Sequence, residues 1–293
     1  MRILVAGATG YVGGRLLPAL LEAGHEVRGL ARNPDTADVP EGVEVAKGDV
    51  VSGEGLRDAL NGIDVAYYLV HSMGRGNATD FAEQDRRAAR TFGDAARDAG
   101  VARVVYLGGL EGEGGDSEHL RSRHEVAELL RERVAQLVYV RAAMVLGAGS
   151  ESFVIMSKLV ERLPVMVTPR WVDTRTQPVA IRDVVAALAA LADREDPPEE
   201  VQLGGADVIT YREMMGRYSD LTGRRRRPMI KVPFLTPGLS SHWVALVTPA
   251  DRGVALPLVH GLSAEMLVRT PPPPGINDAP LGFDDAVREA LDA

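Results

Sequence analysis

Cysteine is absent from this chain, which removes disulfides and any thiolate nucleophile. No apolar run approaches the roughly 20 residues needed to span a bilayer. The N-terminus enters a strand pattern at once, without the layered regions of a signal peptide. The six histidines are scattered, with no close pair at ligand spacing on one helix, so no metal site is expected. There is no Gly-x-Ser-x-Gly nucleophile elbow and no internal repeat. A formal net charge of −8 argues against broad nucleic-acid binding. These absences leave the expectation of a soluble, cytoplasmic protein with no integral membrane segment and a small molecule as its partner.

What is present begins with ILVA at 3–6. An apolar run without polar interruption marks a strand buried on both faces, as in a parallel sheet covered by helices. GATGYVGG follows at 7–14. Gly7 permits a tight turn, Gly10 lets the backbone approach a pyrophosphate, and Gly13 lets the next helix pack close to the strand. That helix carries Leu16, Leu17, Leu20 and Leu21 on its apolar face. Its free N–H groups and positive end favour phosphate. Strand, glycine turn and amphipathic helix are the context that a dinucleotide fingerprint requires.

A second strand over 25–31 ends at Arg32. An acidic residue there binds the ribose 2′-hydroxyl of NAD; a guanidinium instead suits a 2′-phosphate. NADP is therefore expected, with NAD the less favoured cofactor. A short third strand, 43–46, runs into KGDV at 47–50, a turn placed to reach the adenine end with Asp49 and Val50. The fourth strand, 63–70, places Leu69, Val70 and His71 at a carboxyl edge, where ligands bind in such sheets. A helix over 78–99 stops at Gly100. Strand 104–107 then opens into Gly108, Gly109 and an acidic glycine-rich loop, followed by helix 117–133 and strand 137–140. This alternation predicts a Rossmann-type α/β fold, a doubly wound parallel sheet, with residues 1–150 as the NAD(P)-binding core.

Residues 151–293 read as a mixed region that adds the last core elements and a small substrate-binding lobe. Helix 153–162 precedes an irregular stretch, 164–178, and helix 181–192, which Asp183 caps. A short strand, 201–203, leads to a helix with Thr210 as N-cap. The basic run 224–227 reads as surface charge. Strand 229–232, helices 240–247 and 252–262, a stiff proline segment at 271–274 and an amphipathic helix over 283–291 complete the chain.

The motifs resemble the short-chain dehydrogenase/reductase superfamily, and most closely its atypical and extended branches of NmrA-like and epimerase-like NAD(P)-binding proteins, including a bacterial subgroup. The matching stretches are GATGYVGG at 7–14, VRGLARNP at 27–34, KGDV at 47–50, YYLVHSMG at 67–74, VVYLGGL at 104–110, SRHEV at 122–126, LVYVRAAMVLG at 137–147 and QPVAIRDVV at 177–185. The resemblance implies a cofactor set of Gly7, Thr9, Gly10, Tyr11, Val12, Gly13, Arg32, Asp49, Val50, Leu69, Val70, His71 and Arg123. It also implies a catalytic Ser after the fifth strand and a Tyr and Lys four residues apart on the next helix. Here those positions hold Gly108 and Gly109, then His119 and Arg123. Residues four apart share a helix face, so His119 and Arg123 address one pocket. Imidazole exchanges a proton near neutral pH; arginine holds a hydroxyl or phosphate but donates no proton. Tyr67, Tyr68 and Tyr106 read as packing, and Arg141 as half of an ion pair.

The leading expectation is an NADP(H)-dependent oxidoreductase of the atypical short-chain type, acting on an apolar, quinone- or lipid-like small molecule. The missing Ser, Tyr and Lys favour an alternative, a catalytically silent NADP(H) sensor that regulates a partner. A third reading is a nucleotide-sugar epimerase or dehydratase, against which the missing Tyr counts. A homodimer is compatible with each.

Overall fold

The side chains of β1 (Arg2–Ala6) alternate between two hydrophobic clusters: Ile3 and Val5 enter one, Leu4 and Ala6 the other, and all four are fully buried. That alternation, with both faces covered, is what an uninterrupted apolar strand requires. The computed structural model describes residues 1–71, 78–110, 112, 118–168, 170–232 and 264–293.

The first half alternates strand and helix: α1 (Gly13–Glu22), β2 (Glu26–Ala31), β3 (Glu44–Lys47), α2 (Leu56–Leu60), β4 (Val65–Tyr68), α3 (Ala78–Asp98), β5 (Arg103–Gly109), α4 (Glu118–Arg131) and β6 (Leu137–Ala142). Next come β7 (Val145–Leu146), α5 (Glu151–Arg162), β8 (Met166–Thr168), β9 (Arg175–Thr176), β10 (Val179–Ala180) and α6 (Ile181–Ala190). The chain then forms β11 (Glu200–Leu203), β12 (Ile209–Thr210), α7 (Tyr211–Leu221), β13 (Met229–Lys231) and α8 (Phe283–Asp292).

Seven strands form one sheet in the order β11-β6-β5-β4-β1-β2-β3, every neighbouring pair parallel. The order reverses between β1 and β4. A crevice opens at such a switch, outside the carboxyl ends of the strands. Helices α1 and α6 cover one face, where Leu16, Leu17, Leu20, Val184 and Leu188 are fully buried; burial of each leucine contributes about 2 kcal/mol. Helices α2, α3 and α4 cover the other. A third cluster joins α5, α7 and α8 through Phe153, Met156, Met214, Tyr218, Phe283 and Val287.

The structure adjusts several expectations. Strand β5 continues through Gly108 and Gly109, which pair with Arg141 and Ala142 on β6, whereas the two glycines read as the start of a loop. The stretch 164–178 contains strands: β8 pairs with β13, and β9 with β12. Thr210 does cap α7, in a full capping box with Glu213. Asp183 does not cap α6, whose N-cap Ala180 has no side-chain hydrogen bond. Its carboxylate is buried and accepts the Leu281 amide at 2.8 Å, because a backbone donor from the C-terminal segment lies within reach. Asn277 donates to the Gly204 carbonyl at 2.9 Å, and the Phe283 amide to Asp207 at 2.9 Å. These bonds fasten the last helix to the sheet. The helices expected over 240–247 and 252–262 lie outside the described residues. Among the described residues no helix is long and apolar enough to cross a membrane.

Candidate dinucleotide-binding site

The site is built where β1 turns into α1. Gly7 has φ +94°, a conformation that costs glycine little and other residues much. Its amide neighbours are held by the turn bond from Gly10 N–H to the Gly7 carbonyl, 2.9 Å. At Gly13 the reason for glycine is contact: a Cβ there would stand 2.1 Å from the Gly7 carbonyl oxygen. The N-cap of α1, Val12, offers no side-chain hydrogen bond, and no acidic residue occupies the first turn. The positive end of this helix is therefore left for an anion.

A cavity of about 520 Å³ starts at this turn. It takes in Gly7, Gly10, Tyr11, Val12 and Gly13, then Leu69 and His71 after β4, then Gly108 and Gly109 at the end of β5. It continues past Arg123 on α4 to Met144, Ile155, Met156, Tyr211 and Met215. Of the expected cofactor residues, Thr9, Arg32, Asp49, Val50 and Val70 do not line it. Val50 is buried in the core, and Val70 packs against the same cluster. Asp49 holds its own turn, accepting the amides of Val51 at 2.6 Å and Ser52 at 3.1 Å. Arg32 is exposed just past the end of β2 and makes no ion pair among the described residues. Tyr211 enters the site without a signal in the sequence, since nothing in the local pattern of α7 shows which of its faces meets α5.

Tyr11 stacks under the Arg15 guanidinium, 4.1 Å from ring centroid to Cζ. Arg15 in turn donates to the carbonyls of Tyr11 and Ala148, each at 3.0 Å. Gly147 faces the Tyr11 hydroxyl so closely that a Cβ would stand 2.3 Å from it. The glycine turn is thereby clasped to the 147–149 segment. Burial raises the Tyr11 hydroxyl above its usual range, with Arg15 acting the other way.

At the position of the expected catalytic Ser an added side chain would press on its neighbours. A Cβ on Gly108 would stand 2.7 Å from Cε2 and 2.9 Å from the hydroxyl oxygen of Tyr139; one on Gly109 would stand 2.9 Å from Leu120. His119 lies in α4, and its side chain is outside the described residues. Arg123 is not the surface ion pair that a helical arginine commonly makes; it is 7% exposed and faces the cavity.

Beneath Arg123 runs a ladder of tyrosines. Tyr68, Tyr106 and Tyr139 are register partners across β4, β5 and β6. Their ring centroids are 5.9 and 5.3 Å apart. The Tyr106 hydroxyl is fully buried, with the Arg123 guanidinium alongside it. Burial pushes Tyr106 up to about 12, against the opposing pull of Arg123. Tyr67 donates to the Leu188 carbonyl at 2.7 Å, and Arg141 pairs with Glu200 at 2.7 Å, so both are structural as expected. Arg226 pairs with Asp220, and Arg227 donates to the Val160 carbonyl, which ties half of the basic run into the fold. No cluster of three or more metal-ligating side chains occurs among the described residues.

Comparison with known proteins agrees with this geometry. Residues 7–156 match a family model described as NAD(P)H-binding. The chain belongs to this NAD(P)H-binding family, in line with the atypical short-chain resemblance of its motifs. It is 34% identical over 113 residues to a 3-beta-hydroxysteroid dehydrogenase of Mycolicibacterium neoaurum, a match covering 36% of this chain and 31% of the relative. The chain thus spans about a third of that relative's length. Among solved structures it is similar to the triphenylmethane reductase of Citrobacter sp. complexed with NADP(H), with a TM-score of 0.77 and 19% identity over 99% of this chain and 100% of that one. It is also similar to an NADPH-dependent quinone oxidoreductase from Escherichia coli, TM-score 0.78 and 17% identity, with 99% of each chain covered. At these identities the structural matches speak for the fold.

Proposed function

We propose that this protein is an NADP(H)-dependent oxidoreductase acting on an apolar small molecule. The observation that carries the reading is one continuous cavity, running from the phosphate-binding turn across the sheet's switch point to the apolar faces of α5 and α7. Residues 1–150 hold the dinucleotide, and the region from 151 closes over the substrate. The glycine turn and the start of α1 hold the pyrophosphate. Arg32, exposed and without an ion pair among the described residues, takes the 2′-phosphate. Asp49 and Val50 border the adenine end, and Leu69, Val70 and His71 the nicotinamide side. When bound, NADPH supplies the hydride. Arg123 presents positive charge at the reacting end, and His119 or a water supplies the proton. The three oxidoreductases named above are consistent with this chemistry.

Binding of NADPH and NADH is measured by calorimetry for wild type and Arg32→Ala. Tighter NADPH binding by wild type is expected, reduced roughly tenfold or more in the variant, the scale of a charge-assisted hydrogen bond. A preference for NADPH that survives the substitution overturns the role of Arg32. Turnover is read as NADPH oxidation against a broad panel of apolar carbonyl, quinone and enone acceptors. Binding without turnover across that panel favours the sensor reading, which the crowding at Gly108 supports.

A further inference from the structure

The cavity holds a buried cation with no ion pair among the described residues. Arg123 is 7% exposed, and among the described residues no carboxylate pairs with it; its guanidinium lies against the neutral Tyr106 hydroxyl. Buried guanidinium groups are ordinarily paired, because removing a charge from water is costly unless a counter-charge or acceptors replace the solvent. The buried carboxylate nearest in the fold is Asp85 on α3. It accepts from the Ser122 hydroxyl at 3.5 Å and does not pair with Arg123. Tyr106, alongside, is a neutral hydroxyl that burial keeps protonated. Glu151, which also lines the cavity, is exposed. Leu120, Leu110, Gly109 and Ala143, which also line the cavity, carry no side-chain acceptor.

We infer that the substrate pocket selects apolar molecules carrying an acidic group, a carboxylate or an acidic enol or phenol, with its anionic oxygen on Arg123. This rests on the NADP(H) reading above and adds the substrate class. The ribose hydroxyls of a bound dinucleotide would satisfy N–H donors of Arg123 but would leave its charge uncompensated, since they are neutral. Oxidised nicotinamide is itself cationic, so it adds to the positive charge at that end of the cavity. An anionic oxygen between the two offsets both. The apolar body of the ligand has Met144, Ile155, Met156 and Met215 to lie against; flexible methionines accommodate varied shapes.

The test titrates NADPH-loaded protein with naphthoate and with naphthamide, its neutral isostere, following binding by calorimetry. Naphthoate is expected to bind at least about tenfold more tightly, the scale of a charge-assisted hydrogen bond in a desolvated site. The preference disappears in Arg123→Met and persists in Arg123→Lys, each titrated at saturating NADPH. Equal binding of acid and amide by wild type overturns the inference. So does a preference that survives Arg123→Met. Should Arg123→Met fail to fold, the acid–amide comparison in wild type and Arg123→Lys decides alone. If wild type binds no NADPH, the cofactor reading fails, and the same pair of ligands titrated into cofactor-free protein still reports on Arg123.

Discussion

Two adjacent glycines give opposite expectations, and the difference follows from the geometry of the turn. A Cβ built on Gly13 stands 2.1 Å from the Gly7 carbonyl oxygen, 2.9 Å from its carbon and 3.1 Å from Ala8 Cα. An ordinary carbon–oxygen contact is about 3.3 Å or more, so the two backbones must separate by about 1 Å. The carbonyl has nowhere to go. It accepts from Gly10 N–H at 2.9 Å, and Gly7 itself sits against the Leu69 carbonyl, 3.0 Å from where its own Cβ would be. Gly13→Ala should therefore cost about 1–3 kcal/mol or more, the scale of overpacking. At Gly14, one residue on, the closest atom to an added Cβ is the Ala8 oxygen at 3.7 Å, and alanine is favoured over glycine in a helix by up to about 1 kcal/mol. Gly14→Ala should leave stability unchanged or raise it. In thermal unfolding, with about 2–4 °C per kcal/mol for a chain of this class, the two variants should separate by several degrees. Adding NADPH should raise the midpoint of wild type and Gly14→Ala and leave Gly13→Ala unmoved. A Gly13→Ala protein as stable and as responsive to NADPH as wild type would refute the steric account of the turn.

Three other outcomes follow from particular contacts. Gly108→Ser, which restores a hydroxyl after β5, should yield no gain in turnover and lose about 1–3 kcal/mol in urea unfolding, because the new Cβ meets the Tyr139 ring. Asp183→Ala leaves the Leu281 amide without its acceptor; about 1–3 kcal/mol should be lost, with faster proteolytic cleavage within the C-terminal segment. Tyr106 ionises near 10 when unfolded and only at about 12 when folded. Between those values the native state keeps a proton that the unfolded chain releases, so stability is fully present below about pH 10 and falls as pH rises toward about 12. The slope is about 1.4 kcal/mol per pH unit for this group; urea midpoints across that window should fall, and less steeply in Tyr106→Phe.

The sheet was legible because its strands are short apolar runs separated by glycine turns and amphipathic helices. ILVA at 3–6 allows hardly any other reading once both faces are known to be covered. Less legible was everything fixed by a partner far along the chain. β8 finds β13 some sixty residues later, as Met166 opposite Met229 shows, and three-residue strands carry too little periodicity to announce themselves. Asp183 in a first helical turn looks like a cap; only the fold reveals the Leu281 amide waiting for it. Gly108 and Gly109 look like a loop because glycine disfavours strands, yet they are strand residues that leave space for Tyr139 and Leu120. Arg123 was legible as a pocket residue from its match to the family's Lys position, but the exposure and pairing of a helical arginine depend on the surface packed against it.

The missing hydroxyl after β5 and the buried arginine on α4 are parts of one arrangement. Tyr139 projects across the position where a side chain at 108 would stand, and its ring stacks on Tyr106 with planes 11° apart. Tyr106 in turn lies beside Arg123. A serine at 108 requires a smaller residue at 139; a smaller residue at 139 removes the stacking partner that holds Tyr106 beneath the guanidinium. Aromatic pairs of this kind contribute about 0.5–1.5 kcal/mol beyond their buried area, so the ladder resists piecemeal change. We propose that the departure from the Ser, Tyr and Lys pattern implied by the resemblance is coupled through this ladder. The site's chemistry has to be sought in the cavity that Arg123 and the glycines leave open, and single reversions toward the family pattern leave that cavity without a working replacement.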